Sequence, residues 1–108
     1  MPEIYRVLKQ TNPSAASLTD SYLVPANTST ILSGINVVNR GTATSFRISI
    51  AIAGAADSDE QYLAYDEPIA DNGRIVVGKG VTLAATDLVR VYATLATLSF
   101  NVSGVEIT

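Results

Sequence analysis

The stretch Phe46-Arg47-Ile48-Ser49-Ile50-Ala51-Ile52 alternates large apolar side chains with Arg47, Ser49 and Ala51. On an extended chain successive side chains point to opposite faces, so Phe46, Ile48, Ile50 and Ile52 share one face. This predicts a strand, Ser45 to Ala53, buried on one side and wet or lightly packed on the other. Just before it, Ser29 to Asn39 predicts a second long strand with Ile31, Ile35 and Val37 on one face. Gly34 stands where a bulge or a close backbone approach is expected. The link Asn39-Arg40-Gly41-Thr42-Ala43-Thr44 predicts an antiparallel hairpin between these two strands, the spine of the fold.

The same period of two extends to both ends of the chain. Glu3 to Gln10 reads as a first strand, closed by the small, polar break Thr11 to Ser17. Asp20 to Pro25 is a short strand, and Pro25 cannot donate from mid-sheet. Beyond the acidic loop Gly54 to Glu60, Gln61 to Asp66 is a short strand that Glu67-Pro68 ends or bends. Asn72-Gly73 is a turn, because Asn-Gly readily supplies positive φ. Arg74 to Lys79, Leu88 to Ala96 and Leu98 to Ile107 complete the strands, with Val81 to Asp87 a strand end plus turn or a single helical turn. In the last strand Leu98, Phe100 and Val102 point inward, and the shift to Val105 and Ile107 predicts a bulge at Ser103-Gly104. About eight antiparallel strands with short spacing predict an all-β single domain over residues 1–108, a β-sandwich of jelly-roll-like or Greek-key form. Residues 1–19 are expected to form an N-terminal arm or edge strand.

Composition narrows function by exclusion. The 108 residues contain no cysteine and no histidine, which removes thiolate metal sites, disulfides and the commonest general base. The net charge is −3 and the seven cations are scattered, which argues against nucleic acid. No apolar run approaches the ~20 residues of a membrane span. The start, Met1-Pro2-Glu3-Ile4-Tyr5-Arg6, lacks the pattern of a signal peptide, so synthesis in the cytoplasm is expected. For the same reason the sequons at Asn27 and Asn101 read as chance matches. Low charge leaves a Ser/Thr/Asn/Ala surface, which suits contact with other protein because few charges must be desolvated.

Six of the ten acids lie in one region: Asp57, Asp59, Glu60, Asp66, Glu67 and Asp71. Clustered carboxylates can bind Ca²⁺, but Asp57-Ser58-Asp59-Glu60 lacks the glycine and distal glutamate of an EF-hand loop, and a solvated rim accounts for it. Paired acids can also cut glycosides, with Asp59, Glu60, Asp66 and Glu67 the residues to test. The absence of Trp and the few Tyr and Phe argue against a sugar cleft for such a hydrolase. No catalytic residue, metal ligand or cofactor is therefore assigned. Tyrosine tips suit interface rims, which brings forward Tyr62 and Tyr65.

Several segments, read in order, carry a resemblance: Tyr22-Leu23-Val24-Pro25-Ala26-Asn27-Thr28-Ser29-Thr30, Val38-Asn39-Arg40-Gly41, Phe46-Arg47-Ile48, Tyr62-Leu63-Ala64-Tyr65-Asp66-Glu67-Pro68-Ile69, Thr82-Leu83-Ala84-Ala85-Thr86-Asp87 and Leu98 to Ile107. Together, over roughly residues 20 to 107, they resemble small virion structural proteins of tailed bacteriophages. The resemblance implies a non-enzymatic particle component, most similar to a head decoration or cement protein bound to the major capsid protein on the capsid surface. A tail, baseplate or fibre-associated module, able to bind a host glycan, is the alternative. Decoration on symmetry axes implies a homo-oligomer, a dimer or trimer. The expected protein interface is Ile4, Tyr5, Arg6, Val7 and Leu8, freed from the body by the Thr11–Ser17 break to pair with a neighbouring chain, together with Tyr62 and Tyr65.

Overall fold

The computed structural model describes residues 2–108. Among these residues nine strands form: β1 (Glu3–Thr11), β2 (Thr19–Leu23), β3 (Ser29–Asn39), β4 (Thr44–Ala51), β5 (Tyr62–Ile69), β6 (Arg74–Val77), β7 (Thr82–Leu83), β8 (Leu88–Ala93) and β9 (Leu98–Ile107). The pairings nest: β4 with β5, β3 with β6, β2 with β8 and β1 with β9. Pairing of β3 with β9 and of β4 with β8 then assembles two sheets, β1-β9-β3-β6 and β2-β8-β4-β5, with β7 added to the end of β3. All of these pairs are antiparallel, and nested pairs rolled into two facing sheets make a jelly-roll sandwich. Its core is the period-two residues of both inner faces. Phe46 of β4 meets Phe100 of β9 across the layers in an edge-to-face contact, centroids 6.1 Å apart.

The expected β3–β4 hairpin does not form. The two strands lie in different sheets, and residues 40–43 cross between them. Buried Asn39 fixes this crossover with a complete set of bonds. Its amide donates to the carbonyls of Thr42 (2.7 Å) and Ala70 (3.1 Å), and its oxygen accepts from the Gly41 N–H and the Thr97 hydroxyl (3.0 Å each). An asparagine that satisfies every polar atom inside the corner favours this turn over a hairpin.

Bulges account for the other departures. The extra residue lies not at Ser103-Gly104 but on both strands flanking it, at Leu8 in β1 and Ser33 in β3. The bulge in β3 reverses its facing: Thr30 and Leu32 point inward before it, Ile35 and Val37 after it, and Ile31 is exposed. β9 itself stays regular, so Leu98, Phe100, Val102, Gly104 and Glu106 all face in, and Val105 and Ile107 face out. In β4 the alternation ends at Ala51, and Ile52 turns outward into a 3-10 turn, 74% exposed. β5 runs on through Pro68, which an edge strand tolerates because its N–H side needs no partner. Val81 to Asp87 resolves into the short β7 and a turn, where the Asp87 carboxylate accepts from the N–H groups of Ala53 (3.0 Å) and Ala84 (2.9 Å).

Candidate functional site

The interface residues expected from sequence fall on two separate surfaces. Residues Ile4 to Leu8 lie in β1, an edge strand of the first sheet, and Tyr62 and Tyr65 lie in β5, an edge strand of the second. The break after β1 does not release it. Asn12 donates to the carbonyls of Ala96 (3.1 Å) and Leu98 (2.8 Å), and the Ala16 N–H donates to Ala93, pinning this segment as a corner. β1 is thus held by its own chain, and its outer edge carries no strand partner among the described residues.

Alternation splits β1. Tyr5 and Val7 project from the outer face, 75% and 53% exposed. With Ile31, Ser33, Ser103 and Val105 they surround a shallow cavity of about 370 Å³. Ser33, the extra residue of β3, lines this dip, and Gly104 lets the strands close beneath it, because a β-carbon there would clash with the Ile31 carbonyl oxygen. Leu8 packs against the core, and Ile4 is exposed beyond it.

Arg6, its side chain still half exposed, forms an ion pair at the sheet edge with Glu106, a carboxylate buried between the sheets. The Tyr22 hydroxyl donates to the other Glu106 oxygen (2.5 Å). Its single proton is then used, so the Thr30 hydroxyl donates to Tyr22 (2.9 Å). Burial, and then the bond to Glu106, push the Tyr22 phenol up to about 12. The network joins β1, β9, β2 and β3, and it holds a charge in the core by pairing it. Sequence reading missed Glu106, although extending the inward parity of Phe100 and Val102 by four residues would have found it.

The second surface is an aromatic corner on the outer face of the other sheet. The Tyr62 and Tyr65 rings meet edge-to-face at 5.0 Å. Arg47 lies between Tyr65 (4.2 Å) and Tyr92 (4.6 Å) and donates to both Asp66 oxygens, at 2.7 and 3.4 Å. The Tyr62 hydroxyl donates to Asp57 (2.9 Å), and burial, with this bond next, raises the Tyr62 phenol. Asp59, Tyr62 and Tyr65 line an open cleft of about 360 Å³. β5 carries an extra residue on either side of Ala64, and Asp66 takes a left-handed φ of 52°. A left-handed non-glycine residue beside a bulge re-aims side chains at a cost of about 1 kcal/mol or more.

The carboxylates of this region have separate tasks. Asp57 serves Tyr62, Asp66 serves Arg47, and a backbone hydrogen bond, followed by the Ser58 hydroxyl donating to it (2.8 Å), lowers the pKa of Glu60. No group of three possible metal-binding side chains converges among the described residues, and no helix there is long and apolar enough to cross a membrane. Comparisons with protein families, curated proteins and solved structures found no match for this chain.

Proposed function

We propose that this chain is a non-enzymatic structural protein of a tailed-phage virion, a capsid decoration protein that seats on the major capsid protein between its subunits and stabilises the head. The observation that carries this reading is the outer face of the first sheet. Tyr5, Val7, Ile31 and Val105 form an apolar surface with a cavity at edge strand β1, whose outer edge carries no strand partner among the described residues. Such a face can bury apolar area without desolvating charge, and an open edge can add backbone hydrogen bonds. The sequence resemblance supplies the partner. A two-layer sandwich suits a rigid block repeated over a shell, where many weak contacts sum to avidity, and a dimer or trimer follows from seating on symmetry axes.

The test is co-sedimentation and negative-stain imaging of the purified protein with undecorated shells of its own phage. Saturable addition of density is expected, and Val7→Glu should abolish it while leaving the fold intact. Absence of the chain from purified particles would overturn the reading. The alternative, a tail, baseplate or fibre-associated module, is favoured by the Tyr62–Tyr65 corner, and it requires the chain on tails once heads and tails are separated.

A further inference from the structure

We propose that Asn72 is a site of spontaneous deamidation, gated by the turn that carries it, and that its modification loosens the corner where two crossovers between the sheets meet. The Gly73 backbone nitrogen loses its proton and bonds to Asn72 Cγ, and the side-chain amide departs as ammonia, which leaves a five-membered imide. Water then adds to either imide carbonyl and opens the ring. The product is aspartate or, with the main chain rerouted through the β-carbon, isoaspartate. No enzyme and no reactant besides water is needed. The six asparagines differ in what surrounds them. Asn12 precedes Pro13, whose nitrogen carries no hydrogen. Asn36 and Asn101 lie within the paired strands β3 and β9, and Asn39 has every polar atom of its side chain bonded. Asn27 precedes Thr28, β-branched and buried. Asn72 alone combines exposure, a following glycine and a side chain without a partner among the described hydrogen bonds.

The corner imposes the reactive pair. β5 ends in the second sheet and β6 begins in the first, so residues 70–73 cross between the sheets as residues 40–43 do. The turn closes with the Gly73 N–H donating to the Ala70 carbonyl (3.0 Å). Asn72 takes a left-handed φ of 53°, which asparagine tolerates better than most residues. A β-carbon on Gly73 would crowd the Ala70 carbonyl oxygen at 3.0 Å, so the turn favours glycine there. The two crossovers are also bonded to each other. The Asn39 N–H donates to the Gly73 carbonyl (2.9 Å), the Asn72 N–H to the Gly41 carbonyl (3.3 Å), and the Ala43 N–H to the Asp71 carboxylate (2.6 Å). The turn bond engages the nitrogen that must attack, so the reaction waits for the turn to open. An exposed turn opens at far lower cost than the core. Isoaspartate adds one methylene to the main chain between the Asn72 N–H and the Gly73 carbonyl. Those two groups, spaced for Gly41 and Asn39, can then no longer serve both.

The experiment is ageing of the full chain in mildly alkaline buffer, folded and in urea, followed by tryptic mapping and mass spectrometry. Cleavage after Arg47 and Arg74 isolates residues 48–74, in which Asn72 is the single asparagine. That peptide should gain the mass of NH2 replaced by OH and split into two chromatographic products, the aspartate and the isoaspartate form. The folded chain should react more slowly than the chain in urea. The more acidic fraction of the folded chain, purified by anion exchange, should melt about 5 °C lower, the shift for loss of about one hydrogen bond in a domain of this size. Fresh Asn72→Asp, which brings the charge without the extra methylene, should melt close to the parent. An aged folded chain with residues 48–74 unmodified would overturn the proposal, as would faster reaction at another asparagine. Equal rates folded and in urea would overturn the gate. An unchanged melting temperature in the isoaspartate-bearing fraction, or an equal fall in Asn72→Asp, would overturn the link to the corner.

Discussion

Tyr22→Phe removes one oxygen and tests the buried network through its pH dependence. The Tyr22 phenol is pushed up to about 12, against a usual value near 10 in an unfolded chain. Below pH ~10 both states hold the proton and the contribution to stability is complete. As pH rises, the unfolded chain releases its proton first, and the contribution is lost progressively until the folded phenol also ionises near 12. At about 1.36 kcal/mol per pH unit, that interval is worth about 2.7 kcal/mol. At neutral pH, Tyr22→Phe should cost about 2 kcal/mol, the range for a hydrogen bond to a buried charge, because Glu106 loses a donor and Thr30 an acceptor. Urea denaturation of both proteins at steps from about pH 8 to about pH 12 measures the difference. Titration of other groups, including Tyr62, is common to both and cancels. The stability gap should be constant up to about pH 10 and close above it. A gap that stays flat to the highest pH, or a variant as stable as the parent at pH 7, would refute the network as described.

Three further outcomes follow from single sites. Gly104→Ala places a methyl against the Ile31 carbonyl oxygen and should destabilise by about 3 kcal/mol, read as a fall in Tm on the order of 10 °C. Phe100→Ala removes the ring that meets Phe46 across the core and should cost about 3–5 kcal/mol in urea denaturation. Asp87→Ala leaves the Ala53 and Ala84 N–H groups without their acceptor and should cost about 2 kcal/mol, whereas Asp87→Asn should recover part of that loss.

The fold class was legible because period two is a local signal. Phe46 and Ile48, Val89 and Val91, and Phe100 and Val102 all face the core as alternation requires. Sheet membership was not legible, because it is decided at corners. Asn39-Arg40-Gly41 reads as a hairpin turn, and only the distant Ala70 carbonyl and Thr97 hydroxyl that complete the bonds of Asn39 show why it is a crossover. Facing beyond a bulge was equally hidden. Gly34 signalled the bulge in β3, yet grouping Ile31 with Ile35 ignored that one extra residue reverses the side on which the chain's apolar groups fall.

The surfaces were half legible for a related reason. Tyr62 and Tyr65 stand out as aromatic residues in an acidic region, but their brace comes from Arg47 and Tyr92, on β4 and β8, which only sheet order places beside them. Tyr5 and Val7 likewise stand out in β1, while Ile31 and Val105 join them through β9. The jelly roll brings strands from both ends of the chain together, so each surface is assembled from segments far apart in sequence. Glu106 has the opposite character. Its inward position follows from parity alone, and its tolerance there depends on Arg6 of β1 and Tyr22 of β2. A lone charge in an apolar layer forces the chain to bring those partners together or unfold. The carboxylate therefore ties β1 to the body through side chains and leaves the outer backbone of this edge strand unused.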